Sequence, residues 1–206
     1  MIATASYRDM MQEWCVPKME QAEGRAFYLE ADEIYHPLLQ SPVKNTIHAH
    51  RNVLLTGSNA SGKSTFIKTV AINAILAQTV HTVLAERYEA VYFRVYSSMA
   101  LRDDILSSES YYMVEIKSLK RIVDRAKEEG EPVLCFIDEV LRGTNTVERI
   151  AASTEILSLL AQKNALCFAA THDIELTELL KEQYDNYHFE EHVDEEDAVS
   201  YTHLTL

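Results

Sequence analysis

The chain has 206 residues, 47% hydrophobic and 25% charged, enough for one buried core with a small appendage and too apolar to be disordered. Its formal net charge of −13 argues against a nucleic-acid-binding surface as its main face, because such a surface needs a basic patch to displace counterions; a local basic groove stays open. The longest apolar stretch, FIKTVAINAILAQTV, is broken by Lys68, Asn73 and Gln78 and is too short for a bilayer, so no membrane contact is expected. No basic-then-apolar leader opens the chain, and the three cysteines, Cys15, Cys135 and Cys167, lack paired spacing. Two of them, Cys135 and Cys167, lie in apolar strand-like runs and read as reduced, packed thiols, which points to a cytoplasmic protein.

Residues 1–24 form an expected helical lead-in, broken at Val16-Pro17 and turning at Gly24. The lead-in reads as the end of an upstream region of a longer protein, and residues 25–206 as its domain. FYLEADEIYHPLL is strand-like up to His36-Pro37. After the loop SPVKN, TIHAHRNVLLTG reads as one strand that alternates and then becomes solidly apolar, as a strand entering a buried sheet should. Between Gly62 and Gln78 a helix carries Phe66, Val70 and Ala74 on one face, with Ile67, Ala71 and Ile75 beside them. AVYFRVYS reads as one strand. YYMVEIKSLKRIVDRAKEEG is helical, with Tyr112, Ile116, Leu119, Val123 and Ala126 as its apolar stripe and Gly130 as its stop. VLCFIDE is a buried strand, and Asn145 and Glu148 are spaced as a capping box for the helix NTVERIAASTEILSLLAQK. A third buried strand, ALCFAATH, precedes a helix over DIELTELLKEQ, and the tail reads as a β-hairpin. Strands alternating with helices imply an α/β fold with a mainly parallel sheet covered on both faces.

GSNASGKS, residues 57–64, fits G-x-x-x-x-G-K-[ST] in full and stands between a strand and a helix, the context in which that motif cradles phosphates. Gly57 opens the nucleotide-binding loop, and the backbone N–H groups of Ser58, Asn59, Ala60, Ser61, Gly62, Lys63, Ser64 and Thr65 would form an anion nest at a helix N-terminus. Lys63 would reach the β- and γ-phosphates, and Ser64 would ligate Mg²⁺. Downstream, LCFIDE brings Asp138 to a strand end, where it can hold Mg²⁺ through water. Glu139 follows and can polarise an attacking water, which makes the expected activity ATP hydrolysis. His172, at the end of AATHD, would lie at the same sheet edge and sense the γ-phosphate. His48 and His50 alternate on one strand, and His188 and His192 lie in the acidic HFEEHVDEED, which reads as a solvated loop before it reads as a metal site. A nucleotide kinase is disfavoured, because no arginine-bearing lid insertion is present.

The ordered segments YHPLL, GSNASGKST, SSESYYMVEI, LCFIDEVLRGTNT and AATHDIEL resemble the ATPase domain of the MutS family of DNA mismatch-repair proteins, over about His36 to Leu176. The resemblance implies a P-loop ATPase fold of the ABC class with an antiparallel β addition. It implies that His36, beside Pro37, stacks by the adenine, that Gln78 approaches the metal, and that Ser110 reaches the γ-phosphate of a partner subunit in a homodimer with composite ATP sites. LRGTNT would line the same interface. DNA would be contacted mainly by other parts of the parent protein.

The chain also departs from that family. Where members carry proline after the first loop glycine and methionine two residues before the second, it reads Ser58-Asn59-Ala60-Ser61. Where they carry Gly-Arg-Ser-Thr-Phe, it has Ser108-Glu109-Ser110-Tyr111-Tyr112. Beyond Leu176 the likeness fades, and the domain reads as truncated at its C-terminus. Two functions follow: an ATP-hydrolysing head of a DNA-repair protein, or a nucleotide-gated dimerisation module of a MutS-like protein with little hydrolysis and no mismatch role. An ABC-type transporter or chromosome-organising head is weaker, since no LSGGQ-like segment precedes the Asp-Glu strand.

Overall fold

The computed structural model describes residues 2–11, 13–24, 26–58, 61–99, 111–141, 144–193 and 200–205, with backbone only at 2–4, 111, 191–193 and 200–205. Asn59, Ala60 and Ser110 lie outside the described residues, as do Arg142 and Gly143 of LRGTNT. In chain order the elements are α1 (Ile2–Met10), β1 (Lys18–Glu20), β2 (Leu29–Ile34), β3 (Asn45–Ala49), β4 (Asn52–Gly57), α2 (Lys63–Val80), β5 (Arg87–Val91), β6 (Arg94–Ser98), α3 (Tyr111–Ala126), β7 (Val133–Asp138), α4 (Thr146–Ala161), β8 (Ala165–Ala170), α5 (Glu175–Leu179), β9 (Tyr184–Val193) and β10 (Ser200–Thr205). Among the described residues no helix is long and apolar enough to cross a membrane.

Six strands form the main sheet in the order β10-β9-β4-β8-β7-β6. Every pairing in it is parallel except β9 with β10, the expected terminal hairpin. Strand β8 and the central residues of β4 and β7 are apolar because both of their faces are covered. Val53, Leu55, Leu134, Phe136, Leu166 and Phe168 point into one core with α2. The alternate residues Leu54, Cys135, Ile137, Cys167 and Ala169 point into the other, with α3 and α4. Cys135 and Cys167 are register partners. Both are free thiols, and their mutual hydrogen bond, together with burial, pushes Cys135 well above the usual thiol range.

A second sheet, β1-β5-β2-β3, is mixed: β1 and β5 are parallel, whereas β5, β2 and β3 are antiparallel neighbours. Its inward residues Leu29, Ala31, Ile34, Ile47 and Ala49 join the α2 core, so α2 is packed between the two sheets. That explains why nine of its eighteen residues are buried.

Several boundaries differ from the sequence expectation. TIHAHRNVLLTG is two strands in different sheets, split at His50-Arg51, where the Arg51 guanidinium hydrogen-bonds Asp185 Oδ1 at 2.7 Å and the Glu182 carbonyl at 2.6 Å. AVYFRVYS is also divided between the sheets, at Tyr92-Phe93, where Tyr92 N–H donates to Glu20 O and Phe93 N–H to Gln78 Oε1. The expected stripe of α3 is rotated: Tyr112 is exposed, whereas Glu115, Ser118 and Ile122 join Leu119, Val123 and Ala126 in being buried. The helix after His172 is cut to five residues because fully buried Tyr184 starts β9, its hydroxyl bound to Leu157 O at 2.9 Å.

Candidate functional site

Three parallel strands end side by side at one edge of the main sheet. Strand β4 delivers Gly57, β8 leads through Thr171 to His172, and β7 delivers Asp138 and Glu139. Gly57 has φ 141°, and a Cβ there would stand 2.7 Å from Ser61 Oγ and 2.9 Å from Phe189 O, so only glycine fits between the turn and β9.

Lys63 is almost fully buried. Its ammonium hydrogen-bonds Gly57 O at 2.8 Å, Ser58 O at 2.5 Å and Ser61 Oγ at 3.5 Å. Ser61 Oγ itself donates to Ser58 O at 2.9 Å. The turn is therefore cross-braced by its own side chains before α2 begins at Lys63. Ser64 Oγ donates to Asp138 Oδ1 at 3.0 Å, joining the start of α2 to the end of β7. Gly62 and Thr65 stand in the same turn, Thr65 exposed.

His172 bridges the other two groups. Its Nδ1 lies 3.1 Å from Gly57 O and its Nε2 lies 2.9 Å from Glu139 Oε1. A carbonyl and a carboxylate can both only accept, so in these two contacts the ring nitrogens are the donors. Glu139 leaves the sheet with φ 59°, a left-handed conformation rare for a non-glycine residue and concentrated at functional sites.

Beside the turn, a cavity of about 230 Å³ is lined by Ile34, His36, Leu39, Val43, Phe66 and Phe189, with Gly62 and Thr65 at the end nearest the glycine-rich turn. Burial and, secondarily, the Lys68 charge hold the His36 imidazole below its ordinary value. Its Nδ1 accepts from Leu38 N–H at 3.2 Å, so the neutral ring carries its proton on Nε2. Pro37 continues directly into the turn after β2.

Gln78 is not part of this cluster. It lies fourteen residues along α2 from Ser64, about 21 Å at the helical rise. Both ends of its amide are engaged where it lies: Oε1 accepts from Phe93 N–H at 2.8 Å and Nε2 donates to Ala74 O at 3.2 Å. The sequence reading missed a brace. Arg149 of α4 grips Asp173 through two hydrogen bonds, 2.8 and 2.5 Å, and fixes the turn that carries His172. Asp173 immediately after a strand-end histidine was the available signal.

The fold and the site define an α/β protein whose polar centre lies at the carboxyl edge of a mostly parallel sheet, where a glycine-rich turn meets an acidic strand end and a histidine. Residues 53–205 match the family described as MutS domain V, and the chain belongs to the MutS family. It is 39% identical to the DNA mismatch repair protein MutS of Pseudothermotoga lettingae over 149 residues, 70% of this chain and 18% of that protein. To the protein of the same name from Thermus aquaticus it is 37% identical over 141 residues, 68% of the chain and 17% of the relative. To that of Thermotoga petrophila it is 32% identical over 188 residues, 87% and 23% respectively. The chain thus spans about a fifth of the length of the curated relatives it matches.

Proposed function

We propose that the chain is the ATP-binding and ATP-hydrolysing head of a MutS-like DNA-repair protein, with ATP held between two copies and hydrolysis separating them. The observation that carries this reading is the convergence of Lys63, the Ser64–Asp138 pair and the Glu139–His172 pair on one sheet edge. In this reading the turn from Gly57 to Thr65 holds the phosphates through backbone N–H groups, and the Lys63 ammonium exchanges its carbonyl partners for phosphate oxygens. The cavity beside His36 takes the base, with the neutral imidazole as a stacking face. Ser64 and Asp138 are hard oxygen donors 3.0 Å apart, a set that suits Mg²⁺, which would neutralise phosphate charge. Glu139 orients the attacking water and accepts its proton, and His172 holds Glu139 against the phosphate turn. The partner's Ser110 segment completes each site, and mismatch recognition and DNA contact belong to other parts of the parent protein.

The test is the Mg²⁺-dependent ATPase rate per molecule against protein concentration, for the wild type, Glu139→Gln and Lys63→Met. The rate should rise with concentration and fall about 10²–10⁴-fold in Glu139→Gln, which still binds ATP. Lys63→Met should lose binding itself. A rate independent of concentration would refute the composite site. ATP binding without hydrolysis in the wild type would favour the nucleotide-gated dimerisation module, and unimpaired binding by Lys63→Met would refute the nucleotide site.

A further inference from the structure

Glu115 lies on α3, one helical turn from its start at Tyr111, and is only 2% exposed. Its Oε1 accepts from the backbone N–H of Leu141 at 2.6 Å, across 26 residues of sequence. A carboxylate on the buried face of a helix is costly to desolvate, and apolar packing alone would be served by leucine at that position. Its contact also falls on an unusual stretch of backbone. Glu139 and Leu141 both have left-handed φ, 59° and 57°, two non-glycine residues in that region within three positions. A leucine there is disfavoured unless its surroundings impose it.

The surroundings do impose it. The last ladder bond of β7 is Glu139 N–H to Ala170 O at 3.0 Å, after which the chain turns off the sheet. Val140 and Leu141 bury their side chains in the core beneath α3 and α4, and Glu115 catches the Leu141 N–H. The segment is thus held on both sides of the residue whose carboxylate meets His172.

We propose that Glu115 is a positioning residue for Glu139: by accepting from Leu141 N–H it holds the left-handed turn 139–141 that aims the Glu139 carboxylate at His172 and the phosphate turn. The proposal rests on Glu139 serving hydrolysis, and it makes helix α3 a mechanical support of the reacting end of β7. Glu115 touches no reacting atom in this scheme. It acts through the backbone.

The test uses Glu115→Leu, which removes the acceptor, Glu115→Asp, which keeps the polarity and withdraws the acceptor by one methylene, and Glu115→Gln, which keeps a carbonyl within reach. For each, ATP affinity is measured with a fluorescent ATP analogue, kcat by phosphate release, melting temperature by calorimetry, and Leu141 amide exchange by NMR. Glu115→Leu and Glu115→Asp should leave affinity within about threefold, lower kcat roughly 10- to 100-fold and speed Leu141 exchange, while Glu115→Gln stays within about threefold of wild type in affinity, kcat and exchange and keeps its melting temperature. A parallel fall of affinity, kcat and melting temperature without rescue by Gln would mean a merely structural residue and overturn the proposal. Unchanged Leu141 exchange in Glu115→Asp and Glu115→Leu would overturn it too. If wild-type hydrolysis proves insensitive to Glu139→Gln, the proposed function fails and the aiming role with it. Leu141 exchange then separately decides whether Glu115 holds the turn.

Discussion

Asn73 offers a sharp test of how the second sheet is tied to α2. Its side chain is fully buried, and its amide completes an interrupted ladder. Tyr35 N–H bonds Leu84 O at 3.0 Å, and the return bond runs through Asn73: Leu84 N–H donates to Oδ1 at 2.8 Å, while Nδ2 donates to Tyr35 O at 3.1 Å and to Thr69 O at 3.0 Å. Asn73→Ala removes the bridge and strands two backbone groups in the interior. Each orphaned group costs about 1–3 kcal/mol, so the loss should be about 2–6 kcal/mol, a large part of the roughly 5–15 kcal/mol that holds a domain together. Urea unfolding followed by far-ultraviolet circular dichroism should show the midpoint falling by about 1–2 M with an unchanged slope. Because Tyr35 precedes His36, nucleotide affinity should weaken as well. A stability loss below about 1 kcal/mol would refute the reasoning, since the stranded groups would then have found other partners.

Gly57→Ala should destabilise the chain by about 2 kcal/mol or more and abolish ATP-induced thermal stabilisation, because the new methyl meets the backbone of Phe189 as well as Ser61; melting curves with and without ATP check this. Asn145 caps α4 by accepting from Glu148 N–H at 3.0 Å, and Asn145→Ala should cost about 1 kcal/mol in urea titration with little change in ATP affinity. His36 is held below its ordinary value of 6.5, first by burial and then by Lys68. The unfolded chain therefore takes up this proton first as pH falls, so the His36 contribution to stability is complete above 6.5 and is lost below it. Between pH 7 and pH 5 the wild type should lose more stability than His36→Phe, and parallel losses would contradict that sign.

The three central strands were legible because their apolar runs have one physical meaning: both faces buried. The glycine-rich turn was legible because its residue types are fixed by local geometry, as at Gly57, and the Asn145 cap because Asn145 and Glu148 meet within one helical turn, although the Glu148 carboxylate takes Thr144 Oγ1 as its partner and so completes only half of the expected capping box. The sheet changes at Arg51 and at Tyr92 were not legible. Arg51 turns the chain by binding Asp185 and the Glu182 carbonyl, 134 and 131 positions away, while the local pattern simply continues from alternating to apolar. Gln78 and Asn73 looked like interruptions of an apolar stretch; they are the polar groups that satisfy backbone where two sheets meet one helix. Glu115 had left a trace, since Glu115, Leu119, Ile122 and Ala126 share one face of α3, and a carboxylate among apolar residues at that spacing needs a partner.

The site also follows from strand order. Strands β4 and β7 supply the glycine-rich turn and the acidic end, but β8 lies between them. Neighbouring strands are about 4.8 Å apart, so β4 and β7 are separated by roughly 10 Å, too far for Gly57 and Glu139 to meet directly. The register brings β8 level with both: Leu55 pairs with Ala170, and Ala170 with Asp138. Two residues beyond Ala170 stands His172, a side chain with a hydrogen-bonding nitrogen on each edge, one reaching Gly57 O and the other Glu139. Asparagine is too short to span that gap, and lysine has no second edge. Gly57 O in turn accepts from Lys63, so a continuous chain of polar contacts runs from the ammonium in the turn to the carboxylate beyond β7. Displacement of Lys63 toward a phosphate would withdraw a partner from Gly57 O and be felt at His172. In this fold Glu139 is linked through His172 and Gly57 O to Lys63, and the intervening strand is the reason a histidine makes the link.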